Sequence, residues 1–257
     1  MTSTSDDALS HDGFLGGRLT LVQPRSGYRA GIDAILLAAS VPARPGDAVL
    51  DLGCGVGAAI FALACRVDGL HLAGVELQPA YADLARRNAT ANGLVARIVE
   101  GDATMPPAEI RARRFAHVIA NPPYYVPGGG TPAADRGRET ALRESASLDD
   151  WIAAGARRLA PKGTMSVIQR ADRLPELLAA MDARLGTLRI RPFQPRAGRP
   201  AHLVIVHGVK EGRGRAVMDE PIRLHVEKSE RDSADGYTPR VSGMLRNAAY
   251  MDDIAQV

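Results

Sequence analysis

The run Val49-Leu50-Asp51-Leu52-Gly53-Cys54-Gly55-Val56-Gly57 constrains the fold more than any other stretch of this 257-residue chain. A short apolar segment ends on an acid, and three glycines follow at alternate positions before a helical pattern begins. Glycine reaches backbone conformations closed to other residues and lets the main chain approach a ligand closely. A strand, a turn of this kind and a helix form the ligand-binding corner of an α/β sheet. The spacing is not that of a dinucleotide fingerprint. GxGxxG needs a later glycine, and Ala58-Ala59 stand where it would fall. Taken alone, the run is compatible with a ligand loop or with a plain turn.

The surrounding chain alternates short β-branched runs with longer helical ones. Strands are predicted at Ala48–Leu52, His71–Leu77, Ala96–Gly101, Phe115–Ala120 and Gly163–Gln169, with two more at Thr187–Pro192 and Ala201–Val209. Helices are predicted over Gly57–Val67, Pro79–Asn92, Leu148–Leu159 and Ala171–Leu185. This alternation predicts a doubly wound α/β fold, with a seven-stranded, mainly parallel sheet and helices on both faces. No crossover helix separates the last two strands, so one antiparallel edge strand is expected.

Composition excludes several classes. With 46% hydrophobic and 24% charged residues, the chain reads as globular. It has no apolar run of the roughly 20 residues that a membrane span needs. The two cysteines, Cys54 and Cys65, form no CxxC pair and sit in apolar contexts, which argues against a disulfide framework or a zinc site. His11, His71, His117 and His225 show no ligand spacing, and His202 and His207 read as edge-strand residues, so no metal is expected. A cytoplasmic protein with no membrane association and no obligate protein partner is the expectation. Residues 1–12 read as a disordered leader, 13–45 as an N-terminal segment that closes over the site, 46–210 as the α/β domain and 211–257 as a charged tail. Asp33 is expected to cap a helix over Asp33–Ser40, and Trp151 to lie in the core.

Two further acids follow strands as Asp51 does. Glu76 ends the second strand about 20 residues on, where a carboxylate can accept from both hydroxyls of a ribose. Asp102 follows the third strand, where it can accept from an adenine amino group. Three acids in register beside one glycine loop define a cleft at the carboxyl edge of the sheet. Asn121-Pro122-Pro123-Tyr124 then follows the fourth strand directly. An aryl or amide nitrogen is a poor nucleophile because its lone pair is delocalised. Acceptors aimed at both its N–H bonds favour a pyramidal nitrogen and stabilise the developing positive charge. The Asn121 side-chain oxygen and the Pro122 carbonyl can supply them. Pro123 stiffens the turn, and the Tyr124 ring can stack on a flat substrate, worth ~1–3 kcal/mol for a base.

The acids, the glycine loop and this turn, spanning Asp47–Val209, together resemble the class I S-adenosylmethionine-dependent methyltransferases. The resemblance implies that Asp51, Gly53, Gly55 and Gly57 hold the methionine end of the cofactor, Glu76 and Leu77 the ribose, and Asp102 and Ala103 the adenine. It implies Asn121, Pro122 and Tyr124 as catalytic, with Asn121 also beside the cofactor, and Pro123, Tyr124 and Tyr125 as substrate-binding. The NPPY motif is similar to that of enzymes acting on adenine N6, guanine N2, cytosine N4 or glutamine amide nitrogen, and does not choose among them.

The flanks narrow the choice. Phe14–Ala39, FLGGRLTLVQPRSGYRAGIDAILLAA, resembles the leader of the bacterial adenine-N6 methyltransferases that modify the anticodon loop of valine tRNA, and implies a tRNA substrate with adenine 37 as target. Release-factor glutamine methyltransferases share NPPY but carry a longer helical N-terminal domain; they and the rRNA guanine-N2 enzymes are the alternatives. Arginines cluster at Arg111, Arg113 and Arg114, at Arg136, Arg138 and Arg143, and at Arg189, Arg191, Arg196 and Arg199, with Lys210, Arg213 and Arg215 beyond. Such clusters suit RNA phosphates or an ordinary solvated surface.

Overall fold

The computed structural model describes residues 8–124, 146–226 and 236–252. The chain opens with a hairpin of β1 (Leu9–Phe14) and β2 (Leu19–Pro24), followed by α1 (Ile32–Ser40). Then come β3 (Ala48–Leu52), α2 (Ala58–Arg66), β4 (His71–Glu76), α3 (Pro79–Ala91), β5 (Ala96–Glu100), α4 (Ala108–Arg111) and β6 (Phe115–Ala120). The chain continues through α5 (Leu148–Arg158), β7 (Leu159–Arg170), α6 (Leu174–Asp182), β8 (Gly186–Gln194) and β9 (Leu203–Val209). Two short strands, β10 (Val217–Met218) and β11 (Ile222–Arg223), and a last helix, α7 (Pro239–Asn247), complete it.

The central sheet runs β10-β8-β9-β7-β6-β3-β4-β5, with β11 also on β8. Its seven principal strands, β3 to β9, are those expected, and residues of the presumed tail add the two short ones. Strand residues alternate between two cores. Val49, Leu72, Ile119, Ile168 and Ile205 face α1, α2, α3 and α7, whereas Leu50, Ala73, Val118, Val167 and Val204 face α4, α5 and α6. The period of two follows from the pleat. It accounts for apolar runs that continue across both phases.

Three expectations need correction. The antiparallel strand is β9, and it lies between β7 and β8 rather than at an edge. Val204, Ile205 and Val206 are buried on both faces, which only an interior position provides; His207 is therefore an interior-strand residue. Residues 9–12, expected to be disordered, belong to β1: Leu9 is buried, and Asp12 pairs with Arg29 at 2.6 Å. Residues 236–252 are no loose appendage. Val241 and Met244 of α7, and Met251 beyond it, are wholly buried, and Met251 N–H donates to Ala39 O at 2.9 Å. No helix among the described residues is long and apolar enough to cross a membrane, and no cluster of three or more metal-ligating side chains occurs among them.

Candidate active site

β6, β3, β4 and β5 are adjacent and parallel, so their carboxyl ends share one edge. The chain winds outwards from β3 in both directions, so a cleft opens there for a ligand. Asp51, Glu76, Asp102 and Asn121 all reach this edge.

The glycine loop is held from several sides. Gly53 has φ +68°, and a Cβ there would lie 2.7 Å from Trp151 Cη2. At Gly57, φ is +90° and a Cβ would overlap the Phe61 ring. The wholly buried Glu76 receives the Gly55 amide at Oε2 and the Gln78 amide at Oε1, both at 2.9 Å. Asp51 is buried alongside. Burial, reinforced by the neighbouring Glu76 charge, raises its pKa well above the ordinary aspartate value, against the opposing pull of the Ile60 amide in the first turn of α2. Asp102 receives the Thr104 amide and hydroxyl at Oδ1, both at 2.7 Å.

Gly53, Leu77, Asp102, Ala103, Thr104 and Ala146 line a cleft of about 280 Å³ of empty volume, with Trp151 as its wall. Trp151 owes its place to α5, whose N-terminus is fixed by a reciprocal cap between Ser147 and Asp150. The indole is buried as expected. Its Nε1–H is itself buried and meets no acceptor among the described residues.

The Asn121–Tyr124 turn is gripped residue by residue. The Asn121 Nδ2–H faces Tyr28 Oη at 3.5 Å, the outer limit of a hydrogen bond. The Pro122 carbonyl accepts from Gln169 Nε2 at 3.4 Å, and the Pro123 carbonyl from Arg173 Nη1 at 3.3 Å. Tyr124 Oη donates to Asp33 Oδ2 at 2.6 Å. Burial first, and the Asp33 charge second, push the Tyr124 phenol up so that it stays protonated. Asp33 is therefore no helix cap: Gly31 holds that position without a side-chain bond, and the Asp33 carboxylate reaches across to the motif instead. Tyr125 lies outside the described residues.

Residues 29–190 match the family model of the methyltransferase small domain. The chain belongs to that family. As a member it is an S-adenosylmethionine-dependent methyltransferase. It is 30% identical, over 92% of its length and 96% of the relative's, to the tRNA1(Val) (adenine(37)-N6)-methyltransferase of Klebsiella pneumoniae. The Dickeya chrysanthemi protein of the same name is 32% identical, over 77% of this chain and 79% of that one. A crystal structure of an Agrobacterium tumefaciens protein described as a predicted O-methyltransferase superposes with a TM-score of 0.66 at 29% identity, covering 85% of this chain and 98% of that one. The Thermus thermophilus 16S rRNA N2 G1207 methyltransferase superposes with a TM-score of 0.54 at 22% identity, over 79% of this chain and 50% of that one. That likeness is one of fold.

Several residues of this methyltransferase's site escaped sequence reasoning. Tyr28 looked like part of a polar turn. Its ring reaches Gly55, with Cε1 3.6 Å from where a Cβ would stand, and its carbonyl accepts from Tyr81 Oη at 3.0 Å. An aromatic side chain set between Gly27 and Arg29 was the available signal. Gln169 sits unexposed at the end of an apolar strand, a place where a polar side chain needs a specific partner. Asn88, wholly buried on α3, accepts from the Val22 amide and donates to the carbonyls of Val22 and Val56, stitching β2 to the glycine loop.

Proposed function

We propose that this methyltransferase transfers a methyl group to the exocyclic N6 of an adenine in tRNA, adenine 37 of the valine tRNA anticodon loop. The carrying observation is the Asn121–Tyr124 turn, presented at the carboxyl end of β6 beside the glycine loop, in a chain that aligns with the Klebsiella pneumoniae relative over 92% of its length.

The cleft fits an adenosyl group. Its glycine wall leaves no room for a Cβ at Gly53, where the Trp151 ring edge lies, and Leu77, Asp102 and Ala103 line the rest. Gly53, Gly55, Gly57 and the buried Asp51 would hold the methionine end, Glu76 and Leu77 the ribose, and Asp102 and Ala103 the adenine. S-adenosylmethionine bound there supplies a methyl group carried on a positively charged sulfur.

The protein's own work is on the nucleophile. The target adenine must leave its stack to reach the cleft, and the Tyr124 ring offers it a stacking face. Asn121 Oδ1 and Pro122 O accept the two N6 hydrogens, which localises the nitrogen lone pair and opposes the charge that develops. The Tyr28 hydroxyl takes the Asn121 Nδ2–H and thereby turns Oδ1 towards the substrate. The methylated nitrogen is acidic enough to lose its proton to water, so no strong base is required.

Transfer of a tritiated methyl group to undermodified valine tRNA, followed by mass and position analysis of the nucleoside, tests this reading. N6-methyladenosine at position 37 is the expected product. Label confined to a release-factor protein, or to guanine, would defeat it.

A further inference from the structure

The arginines before β6 and at the end of α5 stand at the opposite edge of the sheet from the site. β6 runs from this edge at Phe115 to the catalytic edge at Ala120, so the two lie about 17 Å apart. Here Arg158 Nη1 and Arg114 Nη1 both donate to the same acceptor, the Arg111 carbonyl. Two guanidinium groups are thus brought together with no carboxylate between them. Burial first, and then the charges of Arg114, Arg157 and Arg111, lower the Arg158 pKa from its ordinary value. None of these four forms an ion pair among the described residues. Acids on the same elements have other first partners: Glu109 of α4 binds Arg97, Asp149 of α5 binds Arg184, and Asp150 bonds Ser147, with the Arg157 charge acting on it only as a lesser influence. Lys210, close by, donates to the carbonyls of Ala156 and Leu159 at the end of α5.

Like charges held together in this way are costly unless an anion joins them. Cations at the end of a helix do offset its dipole, by typically ~0.3–1 kcal/mol. That role occupies Arg158, Arg114 and Lys210; Arg111 and Arg157 are exposed and form no ion pair among the described residues, the opposite charge acting on Arg157 being that of Asp150 two turns back on α5. Planar guanidinium donors at several neighbouring positions match the repeated phosphates of a nucleic-acid backbone.

We infer that Arg111, Arg114, Arg157 and Arg158 form a second RNA-docking surface, which binds backbone phosphates of the tRNA body outside the anticodon hairpin. The inference rests on the tRNA reading above. The patch is remote from the chemistry, so it contributes to substrate capture and not to turnover. Each phosphate neutralised releases counterions, so the surface must show in the salt dependence of binding.

The test compares wild type with R111A/R114A/R157A, using full-length valine tRNA transcript and the isolated anticodon hairpin. For full-length tRNA, KM should rise about tenfold with kcat unchanged, and the slope of log K against log salt should fall by roughly two to three. KM for the hairpin should not move. The R111K/R114K/R157K variant should recover most of the binding. Unchanged KM and slope for full-length tRNA would overturn the inference, as would an equal loss with the hairpin. A Lys variant as weak as the Ala variant would overturn it too, by assigning the effect to altered packing. Wild-type enzyme that binds tRNA without methylating it would defeat the functional reading instead, while the salt slopes would still decide the docking surface.

Discussion

The Tyr124 hydroxyl donates to Asp33 Oδ2 at 2.6 Å, tying the last residue of the NPPY turn to the first turn of α1. The bond joins the N-terminal segment to the candidate active site. Arg29 reinforces it, pairing with Asp12 and donating to the Pro24 carbonyl, while the Gln23 side chain accepts from the Ala30 amide at 2.8 Å. The turn that carries Tyr28 and leads to Asp33 is therefore held in shape before any substrate arrives.

Loss of this bond should slow the reaction without weakening cofactor binding. A hydrogen bond to a charged acceptor contributes ~1.5–3 kcal/mol, part of which is spent orienting the Tyr124 ring. Asp33→Ala is expected to lower kcat about tenfold, and Asp33→Asn, which keeps an acceptor, considerably less. Steady-state kinetics on valine tRNA and a titration of S-adenosylmethionine check this. Equal kcat for wild type and Asp33→Ala would show that the bond holds nothing the reaction needs.

Asn121 and Tyr28 should separate in their effects. Asn121→Ala removes an acceptor of the substrate amine, and methyl transfer should fall by two orders of magnitude or more, as for loss of an oxyanion-hole donor. Tyr28→Phe removes only the group that orients Asn121, so a loss of about tenfold or less is expected. Calorimetric affinity for S-adenosylmethionine should be near wild type in both. A cofactor-binding defect in Asn121→Ala would place its role elsewhere.

Gly53→Ala tests the cradle. The backbone at φ +68° costs an L-residue about 1–2 kcal/mol, and the new methyl group would press on Trp151 Cη2. Affinity for S-adenosylmethionine should drop at least tenfold. Pairing Gly53→Ala with Trp151→Ala should recover little of it, because the backbone strain remains and the cleft loses its wall.

His207 should give the protein an acid-sensitive term in its stability. Burial, aided by the Arg191 charge, pushes its pKa down to about 3, and its Nδ1 lies 2.8 Å from the buried Ser166 hydroxyl. In the unfolded chain this imidazole titrates near the ordinary value of 6.5. Between these two values the unfolded state binds the extra proton, so stability is full above about pH 6.5 and falls as pH is lowered towards about 3. His207→Gln should flatten the slope of Tm against pH across that window. Parallel slopes for the two proteins would show that the imidazole is not held neutral.

Much of the site was legible because its parts are local. The turn from β3 into α2 depends on Gly53 and Gly57, each needing a positive φ that only nearby residues impose. Likewise, Asn121 follows β6 directly, so recognising the strand also locates the motif. The partners of these residues were not legible. An acid in the first turn of a helix ordinarily serves its N-terminus, and nothing in the spacing of Asp33 announces Tyr124, 91 residues away. β9 was placed at an edge because the connection fixes only its direction. Burial of Val204, Ile205 and Val206 on both faces moves it inside.

The sequence by itself determined the order of the seven principal strands and of helices α1, α2, α3, α5 and α6, the glycine loop and the three acids and NPPY turn at strand ends. These rest on backbone conformation and side-chain periodicity within a few residues. Tertiary structure alone decided that Tyr28 and Asp33 orient the turn, that Trp151 walls the cleft, that α7 seals the core and that the arginines before β6 gather at the far edge with those of α5. Each of these is a contact between residues far apart in sequence. Its formation depends on how the packed layers bring separate elements together, which no local pattern encodes.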